Sequence, residues 1–335
     1  MRPKRRIIPL FIPNYGCGNC CVFCEQRRIS GAAVPVCAED VYKAVMNAKA
    51  AFEHETHSEL AFYGGSFTSL PINTQNELLD AAKPFLSFQT SNSIRISVRP
   101  DALSPADAAR LKSYGVRTIE IGAQSMCDDV LEAARRGHTA ADVENASKTA
   151  RGAGLALIIQ IMTGLPRDTN EKSIYTAKRI IDLRPDGVRI YPTAVIRGTE
   201  LFEMWKRGDY SEHKIEDAAD LCADLCVLFE NAEIPIIRLG LNPTERLSSV
   251  DVAAGAYHPA FGELVYSRLY YRRAAEKLAG TPPGSEVTIE VARGCVSKMI
   301  GQRRGNIRAL TENFSLRAIK IIESDIPIGE IRVCR

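Results

Sequence analysis

The chain has 335 residues, of which 45% are hydrophobic and 25% are charged, and its formal net charge is +3. This is the composition of a globular protein, and a chain of this length buries a sizeable core without disulfide staples. No apolar run reaches the roughly 18 residues of a membrane span, and the basic start "MRPKRR" lacks a secretory apolar region, so we expect a cytoplasmic protein without membrane segments.

Short apolar runs alternate with amphipathic helical stretches along most of the chain. The predicted strands are 7–13, 59–64, 94–99, 117–122, 155–162, 187–192 and 235–241, and the predicted helices between them include 38–52, 73–86, 104–115, 170–183 and 215–232. Such alternation implies parallel strands joined by right-handed crossovers. We therefore predict an α/β fold, a full or partial (β/α) barrel, with its chemistry at the carboxyl ends of the strands.

The composition changes near residue 280. The segment "AGTPPGS" (279–285) is typical of a linker, and the residues after it indicate a small α+β unit. We predict two domains, a barrel with its extension over 1–280 and a small basic domain over 281–335. Residues 281–335 carry nine Lys/Arg against six Asp/Glu, a net charge of +3, which suits an anionic partner about as well as a solvated docking domain.

Four of the ten cysteines lie in one segment, "NYGCGNCCVFCEQRR" (14–28), after the first predicted strand. In a reducing compartment such a group indicates a metal site rather than disulfides. Cys17, Cys21 and Cys24 have the spacing C-x3-C-x2-C, and three thiolates suit a cubane [4Fe–4S] cluster with one iron left for another ligand. Zinc stays open as an alternative with Cys20 as a fourth ligand, although structural zinc usually takes two separated pairs of ligands.

The cysteine motif, with the aromatic Phe23 before its last cysteine, resembles the signature of radical S-adenosylmethionine (radical SAM) enzymes. "FYGGSFTSL" (62–70) is similar to the glycine motif of that family. The segments 97–103, 118–139 and 189–210 resemble the radical-SAM core of the Elongator catalytic subunit, which modifies the wobble uridine of transfer RNA. The residues that follow are too few for the acetyltransferase domain of that subunit, so the resemblance does not carry acetyl-transfer chemistry over.

The resemblance implies two cofactors, a [4Fe–4S] cluster on Cys17, Cys21 and Cys24, and S-adenosylmethionine (SAM). A reduced cluster of this kind cleaves SAM to a 5′-deoxyadenosyl radical, which abstracts hydrogen from a substrate. The residues implied in SAM binding follow the predicted strands or end them: Gly64, Gly65, Ser66, Glu120, Gln124, Arg136, Gln160, Met162, Arg189 and Tyr191.

Within this set, the resemblance suggests individual roles. Arg136 is assigned to the SAM carboxylate because it lies twelve residues after Gln124, as in related coproporphyrinogen-oxidising enzymes, and a guanidinium binds a carboxylate bidentately. Glu120 and Gln124 are assigned to the ribose hydroxyls. Arg189 stands where the Elongator family has lysine in "KIYPT", and it is expected near the adenine together with Tyr191.

Three further residues keep open roles. Arg99, in "SVRPD", either fixes the geometry at the end of its strand or contacts substrate. His138 follows Arg136 in a matched motif and is expected near the site. His258, in "GAYHPAFGEL", is either a core histidine or a substrate contact.

The segment "MIGQRRGNIRALTENF" near the C-terminus resembles the turn between two helices of a KH RNA-binding domain, whose G-x-x-G loop clamps nucleotide backbone. Gly301 fits the first glycine, but Arg304 stands at the second, and Gly305 follows one place later. The resemblance implies RNA contacts by Arg303, Arg304 and Arg308. The alternative is a βααβ unit that closes the barrel or forms a dimer.

Three hypotheses for function follow. The first is a radical SAM enzyme that modifies a transfer or ribosomal RNA and takes electrons from a donor such as ferredoxin or flavodoxin. The second is a radical SAM enzyme acting on a small molecule or a protein, with a structural C-terminal domain. The third is an RNA-binding protein with a structural metal cluster. The basic loop and the Elongator resemblance favour the first, and the substrate, the fate of SAM and the oligomeric state stay open.

Overall fold

The computed structural model describes residues 6–12, 21–25, 36–51, 58–88, 91–241 and 251–334. Its main sheet has seven parallel strands: β1 (Arg6–Ile12), β2 (Ser58–Gly64), β3 (Ser93–Val98), β4 (Val116–Gln124), β5 (Ala156–Thr163), β6 (Gly187–Pro192) and β8 (Ile236–Leu239). They pair in the order β1–β2–β3–β4–β5–β6–β8 and curl into a half-barrel. The predicted α/β fold is confirmed, in its partial-barrel form.

Helices follow the strands, and most of them pack on the outer face of the sheet. The helices include α1 (Ala38–Ala51), α2 (Ile72–Phe88), α3 (Pro105–Ser113), α4 (Asp128–Ala133), α5 (Ala140–Gly152), α6 (Asn170–Asp182), α7 (Glu200–Arg207), α8 (Ile215–Asn231) and α9 (Phe261–Leu278). Helices α4 and α7 pack instead in the smaller apolar clusters around Val22 and Phe23. Helix α3 begins with a capping box, in which the Ser104 hydroxyl accepts from the Asp107 N–H at 3.1 Å and the Asp107 carboxylate accepts from the Ser104 N–H. Within the described ranges, no helix combines the length and apolarity that a membrane crossing requires.

Side chains along each strand alternate between the outer face and the inner, concave face, which we call the lumen. The outer positions carry apolar residues that are fully buried under the helices, among them Leu60, Phe62, Ile94, Ile96, Ile119, Ile121, Leu157, Ile159, Val188 and Ile190. This alternation follows from the two-residue period of a strand. The polar and charged residues of these strands, among them Glu59, Arg95, Glu120, Gln160 and Arg189, lie at lumen positions, so the fold collects them in one place.

The C-terminal region forms a small three-stranded sheet. It is formed by β10 (Glu286–Ala292), β11 (Ala318–Ser324) and β12 (Ile331–Cys334), with α10 (Val296–Ile300) and α11 (Gly305–Asn313) between β10 and β11. Strand β10 lies in the middle, parallel to β11 and antiparallel to β12. The predicted α+β character of this region is confirmed. A two-stranded pair, β7 (Ala194–Ile196) with β9 (Val252–Gly255), lies apart from both sheets.

Helix α9 belongs to both hydrophobic cores. Its first half contributes Phe261, Val265 and Leu269 to the core of the half-barrel. Its second half contributes to the core of the small sheet, with Tyr270, Ala274 and Leu278. The predicted linker, 279–285, follows directly after this helix.

Candidate active site

The loop after β1 carries two of the three predicted cluster ligands within the described residues. Cys21 is 7% exposed, and the Cys24 N–H donates to the Cys21 carbonyl at 3.0 Å, which closes a tight turn. Cys17 and Cys20 lie outside the described residues. In the part of the chain that the structure describes, no three His, Cys, Asp or Glu side chains converge as a metal site. The three-cysteine cluster therefore stays a prediction.

The cysteine turn is fixed by its neighbours on both sides. The Val22 N–H donates to the carbonyl of Ala134, just after α4, at 3.2 Å, and the Val22 carbonyl accepts from the Leu201 N–H of α7 at 2.7 Å. Phe23 packs against the apolar clusters on either side of it, including Val130. The turn is thus held at the carboxyl end of the half-barrel, where the sequence predicts the chemistry.

Arg136 lies between the cysteine turn and the end of β4. Its Nη1 is 3.2 Å from the Cys21 Sγ, and its Nη2 donates to the Gly122 carbonyl at 2.6 Å. Its Nε–H is buried and has no hydrogen-bond partner among the described residues. A Cβ on Gly122 would come within 3.4 Å of Arg136 Nη2 and 3.0 Å of Gln124 Nε2, so the missing side chain leaves room for both. The unpartnered Nε–H of Arg136, beside the cysteine turn, suits an anionic ligand.

Gln124 ends β4 in an unusual conformation. Its φ is +66°, and the pairing of β4 with β5 shifts register there. Such irregularities re-aim side chains, and positive φ costs a residue other than glycine on the order of 1 kcal/mol. The Gln124 Oε1 is buried without a hydrogen-bond partner among the described residues. Gln124 and Arg136 therefore both leave polar atoms available to a ligand between β4 and the cysteine turn.

Glu120 is the centre of a hydrogen-bonded network in the lumen. It is fully buried, and its Oε1 accepts from Arg95 Nη1 at 2.5 Å and from Arg189 Nη2 at 2.9 Å. Its Oε2 accepts from Gln160 Nε2 at 3.0 Å. Burial raises the pKa of Glu120, but the Arg189 and Arg95 guanidiniums outweigh that effect and hold the pKa below its ordinary value. Both carboxylate oxygens thus have partners within the protein, and contact with a ribose stays a prediction.

The network extends to residues that the sequence analysis did not single out. The Tyr63 hydroxyl accepts from Arg189 Nη2 at 3.0 Å, and Glu59 Oε2 accepts from Arg95 Nε at 3.1 Å. Thr118 donates to the other Glu59 oxygen at 2.9 Å. The sequence does contain a sign of these residues. Charged or polar residues stand at alternate positions of strands that are otherwise apolar, and such positions share one face of a sheet.

The glycine segment lies where the ends of β1, β2 and β3 meet. Gly64 has φ of +103°, and a Cβ there would lie 3.4 Å from the Ile12 carbonyl carbon. The Gly65 N–H donates to the Ile12 carbonyl at 3.0 Å, and the Ser66 hydroxyl accepts from the Arg99 N–H at 3.1 Å. The segment is thereby fixed to both neighbouring strand ends.

Two other residues, Arg99 and His138, lie close to Arg136. Arg99 pairs with Asp101 at 2.9 Å and donates to the Arg136 carbonyl at 2.6 Å, which supports a role in strand-end geometry. His138 is buried, and its Nε2 lies 3.1 Å from the Ala123 carbonyl. Burial, and next the charge of Arg136, lower the pKa of His138 to about 4, so its imidazole is neutral at pH 7.

The remaining predicted residues of strands β5 and β6 lie side by side. Met162 and Tyr191 are in register on the lumen face. Met162 also packs in the same apolar cluster as Phe23, which brings it next to the cysteine turn. His258 instead lies before α9, where its Nδ1 accepts from the Ala260 N–H at 3.0 Å.

The C-terminal basic loop joins α10 to α11 in the small domain. Arg303, Arg304 and Arg308 are exposed, and Arg303 and Arg304 have φ of +49° and +60°. Asn306 anchors the loop through its Nδ2, which donates to the Ser267 carbonyl of α9 at 2.9 Å. Arg304, at the second glycine position of the KH pattern, thus has the left-handed backbone conformation that a glycine would adopt there.

Comparison with protein families and curated proteins gives consistent results. The model of the radical SAM superfamily matches residues 11–180, and the radical SAM C-terminal domain model matches residues 185–271. Elongator complex protein 3 of Dictyostelium discoideum is 32% identical over 190 residues, which are 51% of this chain and 34% of that protein. The tRNA uridine(34) acetyltransferase of Methanocaldococcus jannaschii is 30% identical over 189 residues, 50% of this chain and 35% of that protein. The chain thus spans about a third of the length of these relatives.

Solved structures show the same fold. The archaeal Methanocaldococcus infernus Elp3 with an N-terminal deletion superposes with a TM-score of 0.64 at 22% identity, covering 81% of this chain and 64% of that one. Coproporphyrinogen III oxidase (HemN) from Escherichia coli superposes with a TM-score of 0.52 at 19% identity, covering 69% of this chain and 53% of that one.

Proposed function

Since this chain belongs to the radical SAM superfamily, we propose that it is a radical SAM enzyme that modifies an RNA, a transfer or ribosomal RNA. The enzyme class rests on the family, whose model covers just over half of the chain. The RNA substrate goes beyond what membership of the family shows. A donor such as ferredoxin or flavodoxin would supply its electrons, and a reducing cytoplasm would keep its thiols free.

The residues around the cysteine turn fit the two cofactors that the family implies. When bound, a [4Fe–4S] cluster and SAM supply an electron and a 5′-deoxyadenosyl radical. In our proposal, Cys17, Cys21 and Cys24 hold the cluster. The fit rests on the buried and folded turn at Cys21 and on the leftover N–H of Arg136 beside it.

The other site residues bind and orient SAM. Arg136 binds its carboxylate, because a guanidinium with an unpaired N–H lies beside the cluster loop. The backbone of Gly64 and Gly65 admits its amino end, with Ser66 fixing the segment to β3. Gln124, with its unpartnered oxygen, faces a ribose hydroxyl.

Glu120 orients the groups around it. By accepting from Gln160 and Arg189, it fixes the direction of both side chains in the lumen. Arg189 and Tyr191 are then held near the adenine, and Met162 contributes an apolar contact beside the cysteine turn. The protein's own task is to bind, orient and exclude water, as in other cofactor enzymes.

The basic C-terminal loop is the observation that carries the RNA proposal. Two consecutive arginines, Arg303 and Arg304, are exposed on a turn between two helices, and both have the left-handed backbone conformation that favours glycine. The relatives named Elongator complex protein 3 and tRNA uridine(34) acetyltransferase support it as well, through the radical SAM region that they share with this chain. We make no proposal of acetyl transfer.

The direct test is mass spectrometry of total RNA nucleosides from cells with and without the gene. We expect one modified nucleoside to disappear on deletion and to return with the wild-type gene. The Cys21→Ala gene should fail to restore it. If the nucleosides are identical with and without the gene, the substrate is a small molecule or a protein instead.

A further inference from the structure

A hydrogen-bonded row of side chains crosses the lumen from β2 to β6. Arg95 of β3 joins the carboxylates of Glu59 and Glu120, and Glu120 in turn accepts from Gln160 and Arg189. The charged members of the row alternate in sign from Glu59 to Arg189. Because each side chain holds the next, the direction of one member depends on the position of the others.

Arg95 is occupied by the protein itself. Its side chain is 5% exposed, and each of its three nitrogens donates to a carboxylate. Nε and Nη2 donate to Glu59 Oε2 at 3.1 and 2.5 Å, and Nη1 donates to Glu120 Oε1 at 2.5 Å. A planar guanidinium that is held on two sides in this way cannot turn towards a ligand. Any effect of Arg95 on a bound ligand therefore passes through Glu120.

Glu120 in turn fixes two residues of the proposed SAM site. Arg189 Nη2 donates to Glu120 Oε1 at 2.9 Å and to the Tyr63 hydroxyl at 3.0 Å, so these two oxygens determine where the guanidinium lies. Gln160 donates to the other oxygen of Glu120 at 3.0 Å. A displacement of the Glu120 carboxylate would therefore displace both side chains.

Arg95 also keeps Glu120 ionised. Burial raises the pKa of Glu120, and the charges of Arg189 and Arg95 lower it, with a net decrease. Without Arg95, one of these charges is lost, and the carboxyl takes up a proton at a higher pH. A protonated carboxyl is a weaker acceptor for a guanidinium than a carboxylate. Loss of Arg95 should therefore release Arg189, and it should do so most at low pH.

We propose, resting on the proposed function, that Arg95 is a positioning residue for SAM binding. It holds Glu120 in place from β3, and Glu120 directs Gln160 and Arg189 at the cofactor. Arg95 itself contacts neither SAM nor the substrate.

The groups that face Glu120 come from the strands on both sides of it: Glu59 and Tyr63 of β2, Arg95 of β3, Gln160 of β5, and Arg189 and Tyr191 of β6. Burial raises the pKa of both tyrosines above their ordinary value, so they stay neutral between pH 6 and pH 8. The guanidiniums stay charged in this range. The two carboxylates then remain to be separated by experiment.

The test measures equilibrium binding of SAM to the full-length, cluster-loaded protein at pH 6 and at pH 8. Arg95→Met removes the guanidinium, and a double variant, Arg95→Met with Glu59→Gln, also removes the charge of Glu59. Arg95→Lys keeps a charge beside Glu120. Arg110→Met is the matched control, because Arg110 of α3 likewise donates to side chains of another element, α2, but lies outside the lumen.

We expect Arg95→Met and the double variant to bind SAM about tenfold more weakly than the wild type at pH 6, with a smaller loss at pH 8. Arg95→Lys should lose affinity equally at both pH values, because it keeps the charge but not the planar geometry. Arg110→Met should bind SAM like the wild type.

A double variant that binds SAM like the wild type would overturn the inference, because the charge of Glu59 would then explain the single variant. A loss in the double variant that is the same at pH 6 and pH 8 would overturn it as well. Where the Arg95→Met proteins do not fold, Arg95→Lys decides, and an unchanged affinity in that variant means that the inference is wrong. If the wild type does not bind SAM, the proposed function itself fails.

Discussion

The guanidinium of Arg136 links the cysteine turn to the end of β4. One terminal nitrogen lies 3.2 Å from the Cys21 sulfur, and the other donates to the Gly122 carbonyl at 2.6 Å, although Cys21 and Arg136 are 115 positions apart. Hydrogen bonds to cysteine sulfur are among the features that set the potential of iron–sulfur clusters. In our proposal, Arg136 therefore influences the cluster as well as the SAM carboxylate.

We expect anaerobically prepared protein to contain about four irons per chain, as a single [4Fe–4S] cluster requires. Replacing Cys17, Cys21 or Cys24 by alanine should abolish the iron, because a cubane needs all three thiolates. Cys20→Ala should keep it, and Cys127→Ala serves as a control outside the motif. Iron analysis and the visible absorption spectrum measure the result. Loss of metal in Cys20→Ala would show that our ligand assignment is wrong.

Arg136→Ala should keep the cluster but weaken SAM binding by more than a hundredfold. The reason is that removing one partner of a buried charge pair typically costs about 3–5 kcal/mol. Equilibrium binding of SAM to the reconstituted protein measures this, and a redox titration followed by EPR should show a shifted cluster potential. Arg135→Ala, an exposed neighbour, is the matched control. Equal affinities for the two variants would exclude Arg136 from SAM binding.

His138 should make the folded state less stable in mild acid. Its pKa is lowered to about 4 in the folded protein, so the unfolded chain binds more protons between that value and its ordinary pKa. Stability is therefore lost as the pH falls from about 6.5 towards 4, and the loss attributable to His138 at pH 5 is about 2 kcal/mol. Denaturant unfolding gives the free energy of unfolding of the wild type and of His138→Asn at pH 7 and at pH 5. From pH 7 to pH 5, the wild type should lose about 2 kcal/mol more of this free energy than the variant does. If the free energies of unfolding of the two proteins fall equally with pH, the assignment to His138 is wrong.

The basic loop should bind RNA through phosphates. Replacing both Arg303 and Arg304 by alanine should weaken binding of bulk transfer RNA and flatten its salt dependence by about 1.4 units, or 0.7 for each lost contact. Arg293→Ala, an exposed arginine of the same domain, should leave both quantities unchanged. A double variant indistinguishable from wild type would mean that RNA binds another surface. Cluster content should be the same in all three proteins.

The scaffold was predictable because buried parallel strands appear in the sequence as short apolar runs between amphipathic helices. All seven strands of the half-barrel were predicted from this pattern. Three short strands, Ala194–Ile196, Val252–Gly255 and Ile331–Cys334, were not, because three or four residues do not establish a period. Length therefore limited the prediction of strands.

The site was predictable in part. Its motifs identified Glu120, Arg136 and Arg189 as residues of interest, but pairing is a tertiary property, and no spacing predicts that Arg95 joins Glu59 to Glu120. A charged residue in an apolar run gives no indication by itself of whether its strand directs it to solvent or into a lumen.

Helix α9 gives the protein a fixed internal distance. A helix rises about 1.5 Å per residue, so its 18 residues form one stiff rod of about 27 Å, with the half-barrel packed on its first half and the small sheet on its second. An RNA gripped at Arg304 and reacting in the half-barrel would have to bridge a set span. Such an enzyme would act as a ruler, selecting its target nucleotide by how far along the strand it lies from the gripped phosphate.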